Sequence, residues 1–302
     1  MTNKFLDNAR QGKNNFWRYF LTFIMSFGVA EFVSIFYVLI FIVFQHLFTG
    51  GNGSERVVYF IIIFFSFSIS AIFLLLLLEV LHKRNIMSLV NTVEKYDAFG
   101  RTKTWIERIR WSRFFKGFLI WSIFLIIIET VAYLLDPVGF TLNYDLGNFF
   151  VLFILFLIAI PIQVSFEELF FRGYLNQGLS LKIKNPIIII AISSLIFGFA
   201  HFFNADNLFS QILYVYFAFM VGFIWSIMTL LDNGIEWSTG AHLANNFFAF
   251  VIIGGEGSID NFGTLFSIKE SDPLIGAIFS TVTFFTFLII LIAYKKDKIL
   301  NL

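Results

Sequence analysis

The chain has 302 residues, of which 58% are hydrophobic and 14% charged, with a mean hydropathy of +0.83. A soluble domain of that length needs far more polar surface, so the composition indicates a polytopic membrane protein. A net charge of +1, with no basic patch carrying interleaved stacking residues, leaves no nucleic-acid partner, and the absence of cysteine excludes disulfides, thiolate catalysis, Cys-ligated zinc and iron–sulfur centres.

From the N-terminus, Lys4, Arg10, Lys13 and Arg18 precede an apolar run reaching about Phe48. That run exceeds the ~7–15 residues of a signal-peptide core. It ends in "FTGGNGSER" without a small-residue cleavage pattern, so it reads as a retained anchor. Runs of roughly 20 apolar residues recur along the chain. They give expected spans near 17–48, 57–82, 114–135, 148–178, 186–203, 208–231, 238–254 and 273–294. The fold class is therefore all-α, a polytopic transmembrane helical bundle of about eight spans, with the lipid bilayer as its surroundings. "DPVGFTLNYDLGN", "FNADN" and "LDNG" mark breaks between spans.

Basic residues gather in the N-terminal segment, between Lys83 and Arg113, at Lys182 and Lys184, and in "KKDK" at 295–298. The positive-inside rule then places both termini in the cytoplasm. The 83–113 connection is a basic cytoplasmic segment. Its apolar positions (Ile86, Leu89, Val90, Val93, Trp105, Ile109 and Trp111) suit an amphipathic helix lying at the headgroups. Glu79, His46 and His82 fall near span ends and are expected at the interface. Glu31 and Glu129 are intramembrane carboxylates without an obvious partner, read as structural or as substrate contacts. Asn204, Asp206 and Asn207 are expected in a loop.

Ionisable groups inside a span cost roughly 2.5–3.5 kcal/mol each at a helix centre on insertion scales, so those that persist tend to be functional. Three such groupings occur between residues 167 and 246. Glu168 and Arg172 stand four apart and can pair on one helix face. Glu167 lies about 100° around the helix and is left without a local partner. Phe197 and His201 share a face in "IFGFAHF", with Gly198 and Ala200 as small neighbours for close helix packing. His242 and Asn246 share a face in "GAHLANNFFAF", with Asn245 a competitor three residues from His242.

If the fourth helix continues to about Ser180, Glu167 lies about 13 residues, or roughly 20 Å, from that end. His201 lies about 15 residues, or roughly 22 Å, from a helix start near Pro186. An antiparallel hairpin then brings the two level. Together these groups suit hydrolysis in a shielded cavity. Glu167 and His201 can polarise a water, with His242 and Asn246 donating to an oxyanion. Equally, Glu167, His201 and His242 are candidate ligands for a divalent metal such as zinc, with an open fourth site for water. The residues leave both mechanisms open.

"EELFFR", "FGFAH" and "HLANN" resemble, in order and spacing, the EExxxR, FxxxH and HxxxN motifs of the type II CAAX prenyl protease family, also called Abi or CPBP intramembrane endopeptidases. The resemblance covers about 148–254, without a departure in any motif. It implies an endopeptidase acting on a peptide or membrane-associated protein, with Glu167 and His201 activating water. His242 and Asn246 would form the oxyanion hole, and Glu168, Arg172 and Phe197 would support the site. Members of the family are described both as metalloproteases and as metal-independent glutamate proteases. The expected organisation is an extension at 1–147, a CAAX protease/Abi-like core at 148–254, and a loop with a C-terminal transmembrane helix at 255–302. Plasma membrane is the default location.

Singly, each motif reads as an ion pair or interhelical glue; the three together favour chemistry. There is no Gly-x-Ser-x-Gly or HExxH segment, and "NYDLG" lacks a Gly-x-Gly-Asp partner. A transporter using Glu31, Glu129 and Glu167, or a non-catalytic peptide-binding or bacteriocin-immunity protein on the same fold, are the competing classes.

Overall fold

The computed structural model describes residues 3–49, 55–143, 146–205, 207–255, 264–269 and 273–299. Expectations for Tyr144, Asp145, Asp206, the side chain of Glu31 and the side chains of 295–298 lie outside what it describes. In chain order the main helices are α1 (Phe16–Phe23), α2 (Ala30–Thr49), α3 (Glu55–Val80), α4 (Trp111–Leu135), α5 (Leu146–Glu167), α6 (Pro186–Ala200), α7 (Leu208–Asp232), α8 (Glu236–Phe247) and α9 (Pro273–Ile299). A π-helical turn at Ile24–Val29 joins α1 to α2. Another at Glu168–Leu175 extends α5 into a last helical piece, Asn176–Ser180.

The helical class is as expected, and four helices are long and apolar enough to cross a membrane: Val58–Val80, Trp111–Leu135, Phe149–Ser180 and Leu208–Asp232. Phe16–Val29, Ile35–Phe44, Pro186–Ala200 and Ser280–Ala293 are shorter apolar helices. The stretch expected as a span at 238–254 divides into α8, a π-helical turn at Phe248–Ile252 and a strand. Strands β1 (Phe140–Leu142), β2 (Ile253–Gly255) and β3 (Phe266–Ile268) correct the purely α expectation. Central β3 runs antiparallel to β1 and parallel to β2, satisfying backbone groups where α8 leaves the bundle.

Local sequence explains the helix limits. Asn185 caps α6, accepting from the backbone N–H of Ile187 (2.9 Å) and Ile188 (3.4 Å), with Pro186 at the first position. Asn207 caps α7 through Ser210 N at 2.9 Å. Helix α7 stops at Asn233, whose φ of 53° is left-handed, and Gly234 then turns the chain into α8. Helices α4 and α8 cross closely at two glycines. A Cβ on Gly117 would meet the Trp237 carbonyl, and one on Gly240 the Phe114 carbonyl.

The 83–113 connection is not one amphipathic helix. It folds as short helices at Met87–Val90 and Trp105–Arg108 joined by turns, and several of its polar residues find partners in the protein. Arg110 Nε reaches Glu236 Oε1 at 3.0 Å, Asn91 Nδ2 donates to the same carboxylate, and Ile235 N donates to Val90 O at 2.8 Å. These contacts fix the start of α8. The first residues dock here too, with Phe5 fully buried and Asn8 Nδ2 donating to Ser88 O at 3.0 Å. His82, two residues beyond the end of α3, is also fully buried, held by Lys13 O and the Tyr174 hydroxyl, each at 2.9 Å.

Candidate active site

Helix α5 carries the first motif. The continuous helix Phe149–Ser180 puts Glu167 well inside it, as the depth argument required. At Glu168 the winding changes from α to π and stays so to Leu175. The wider turn is a local irregularity of the kind that gathers at functional sites. Here it carries Glu168, Phe170, Phe171, Arg172 and Tyr174 into the protein interior.

The expected Glu168–Arg172 ion pair is present, Arg172 Nη1 to Glu168 Oε1 at 3.0 Å, and neither side chain reaches solvent. Arg172 also stands over two aromatic rings, 4.2 Å from Phe197 and 5.3 Å from Trp225. Cation–π attraction is strongest when the cation is desolvated, as it is here.

Both glutamates meet His242. Its Nδ1 lies 2.9 Å from Glu168 Oε1, and its Nε2 lies 3.4 Å from Glu167 Oε2. The imidazole therefore bridges two carboxylates adjacent in sequence. Glu167 is consequently not without partners, since Gln163 Nε2 also donates to its Oε1 at 3.3 Å. Trp225 closes the face of His242, the two rings lying 4.5 Å apart at 30°.

Phe197 connects this group to His201. Its ring lies 4.6 Å from the His201 ring and 6.0 Å from that of His242. Its carbonyl lies 2.8 Å from His201 Nδ1. A carbonyl only accepts, so Nδ1 carries the proton, which in the neutral imidazole leaves the lone pair on Nε2. His201 caps the C-terminal end of α6 rather than sitting inside the helix. Gly198 packs as expected, since a Cβ there would come 2.6 Å from the Val215 carbonyl, but Ala200 is exposed and packs nothing.

Asn246 is buried one turn beyond His242 on α8. Its Oδ1 accepts a long bond, 3.5 Å, from Asn245 Nδ2, and Asn245 Oδ1 accepts from Trp121 Nε1 at 3.3 Å. The carboxamide N–H groups of Asn246 are thus left for a ligand. Glu167, Glu168, Arg172, Phe197, His201 and His242 form one chain of contacts. Glu129 stands apart, lining a neighbouring cavity together with Asn245.

Sequence reasoning passed over Gln163, Trp225 and Gly222. Gln163 was legible as a polar residue four before Glu167. Trp225 sits within an apolar run rather than at its end, where interfacial tryptophans gather. Nothing local distinguished Gly222, where a Cβ would lie 3.0 Å from the Phe197 ring and 3.3 Å from Arg172 Nη2.

Of the candidate metal ligands, Glu167 and His242 meet, and His201 stands across the Phe197 ring from His242. Among the described residues no group of three His, Asp or Glu side chains has the arrangement of a metal-holding set. Both nitrogens of His242 already face carboxylates.

Residues 147–248 match the family described as type II CAAX prenyl endopeptidase Rce1-like. The chain is also 27% identical over 303 residues to the uncharacterized protein YyaK of Bacillus subtilis (strain 168), covering 95% of each. No solved structure gives a significant match. All three motifs fall inside the matched segment, and the apolar helices around them belong to an integral membrane protein. Residues 147–248 are thus similar to that family, in agreement with the resemblance carried by the three motifs.

Proposed function

We propose that the protein is an intramembrane endopeptidase working by a metal-independent glutamate mechanism on a peptide or membrane-associated protein. The observation that carries this reading is the His242 imidazole held between Glu168 and Glu167, with His201 across the Phe197 ring and held through its Nδ1 by the Phe197 carbonyl. A water between Glu167 and His201 Nε2, hydrogen-bonded to His201, gives its proton to the Glu167 carboxylate as its oxygen attacks the scissile carbonyl. The oxygen of the tetrahedral intermediate takes hydrogen bonds from the Asn246 carboxamide and from the Nε2–H of His242, which is an imidazolium in that step because its Nδ1–H is given to Glu168. As the C–N bond breaks, protonated Glu167 returns the proton to the leaving amine. Glu168, paired with Arg172, orients His242 from the Nδ1 side.

In this reading 148–254 is the catalytic core and 1–147 an extension whose 83–113 segment holds α8 in place. The chain would cross the plasma membrane about eight times with both termini in the cytoplasm. Replacing Glu167 with Gln and His201 with Ala, each in the folded protein in liposomes, tests the chemistry. Each variant should lose cleavage of a peptide library by at least 100-fold, and full activity in either removes the water-activating pair. Loss of wild-type activity on strong chelation, restored by zinc, would replace the glutamate mechanism by a metal one. Proteomic comparison of cells carrying wild type and Glu167→Gln would name the substrate.

A further inference from the structure

A cavity of about 210 Å³ opens between α4, α7 and α9, beside the site rather than within it. Its walls are aromatic and aliphatic, with Trp121, Phe124 and Phe287 among them, and Glu129 is its one charged group. Glu129 makes no hydrogen bond or ion pair with any described residue, although it lies in an apolar helix long enough to span a membrane. The remaining polar groups of the lining include Asn245, Ser280 and Thr283, and no Lys, Arg or His is present. A carboxylate, hydroxyls and aromatic faces without a cation suit a positively charged guest. Aliphatic walls suit one with an alkyl stem.

The cavity is also joined to the site. Asn245 lines it and donates to Asn246, while Trp121 packs at 5.5 Å on Trp225, which itself stacks on His242. From Trp121 to Glu129 is eight residues of helix, roughly 12 Å. An extended peptide advances about 3.3 Å per residue, and a lysine adds its four-carbon stem. A lysine about two residues from the scissile bond therefore spans that distance.

Resting on the endopeptidase reading, we propose that this cavity is a substrate subsite for a primary ammonium on an aliphatic stem, the side chain of a lysine, with Glu129 as its counter-ion. Its binding is tested without catalysis. The full-length protein in lipid nanodiscs is photolabelled with an octylamine carrying an aliphatic diazirine, and in parallel with the matching octanol. Adducts are counted only on peptides of α7 and α9, so that loss of the Glu129 carboxylate does not itself remove the reactive group. The amine should label these peptides at least fivefold more than the alcohol. Glu129→Gln should abolish the difference and Glu129→Asp should keep most of it. Equal labelling by amine and alcohol, or an amine preference that survives Glu129→Gln, overturns the proposal.

Cleavage provides the second arm. For peptides differing only in lysine against norleucine, wild type should prefer lysine in kcat/KM, and Glu129→Gln should reduce that preference at least tenfold. An unchanged preference overturns the subsite. If neither peptide nor any library member is cut, the endopeptidase reading fails, and the labelling result alone decides whether the ammonium site exists.

Discussion

The guanidinium of Arg172 stands 4.2 Å over the ring of Phe197, whose own carbonyl orients His201 at 2.8 Å. One side chain thus ties the buried charge of the first motif to the histidine of the second. A desolvated cation–π contact contributes on the order of 2 kcal/mol. Phe197→Leu should lower stability by about 1–2 kcal/mol and reduce kcat roughly tenfold, because His201 loses the ring it rests on. Thermal unfolding in detergent and a cleavage assay check both. Unchanged kcat would leave Phe197 as packing only.

Glu168 and Arg172 share a fully buried pair. Removing one partner leaves an uncompensated charge, so Arg172→Met should destabilise by about 3–5 kcal/mol. The double variant Glu168→Leu with Arg172→Met should regain much of that stability. It should not regain activity, since His242 Nδ1 would lack its acceptor. Recovery of activity in the double variant would remove Glu168 from any orienting role.

Asn246 has free amide donors, whereas Asn245 is engaged by Trp121. Asn246→Ala should lower kcat by about 10²–10³ with little change in KM, the usual cost of an oxyanion donor. Asn245→Ala should cost less than tenfold in kcat. Steady-state kinetics on one peptide substrate separates them, and the reverse order would transfer the oxyanion role to Asn245.

His82, beyond the end of α3, is buried between the Lys13 carbonyl and the Tyr174 hydroxyl. Burial depresses its pKa from 6.5 to about 4, with nearby Arg84 acting in the same direction. The unfolded chain therefore binds more protons between these values. Stability from this residue is full above pH 6.5 and is lost as pH falls towards 4, up to about 3 kcal/mol. His82→Gln should flatten the pH dependence of the unfolding temperature across that window. An equally steep profile in the variant would place the acid sensitivity elsewhere.

Gly222 lets α7 approach the site, and a Cβ there would lie 3.0 Å from the Phe197 ring and 3.3 Å from Arg172 Nη2. Gly222→Val should displace both, costing about 1–3 kcal/mol of stability and more than tenfold in activity. Gly222→Ala should show a smaller form of the same defect in both assays. Wild-type behaviour of the valine variant would mean that Phe197 has room to move.

The three motifs, the long helix through Glu167, the caps at Asn185 and Pro186, and the Glu168–Arg172 pair are all local. Each depends on residues within about one helical turn, so periodicity and capping rules reach them from sequence. The membrane character is equally legible, because apolar composition of this extent cannot cover a soluble surface. Span number was less so, since apolar runs do not reveal where a π-helical turn or a strand interrupts them, as happens at 248–255.

The contacts that make a site are long-range. His242 meets Glu168 across 74 residues, and Asn91, in the 83–113 segment, meets Glu236 across 145. Sequence determined that Glu167, His201, His242 and Asn246 are polar groups stranded among apolar helices. Only the tertiary structure decided that one imidazole bridges both glutamates, that the Phe197 carbonyl takes the Nδ1 proton of His201, and that a basic loop anchors α8. The physical reason is that a buried polar group must find a partner somewhere in the fold, and one sequence read by local periodicity does not say which distant residue will be there.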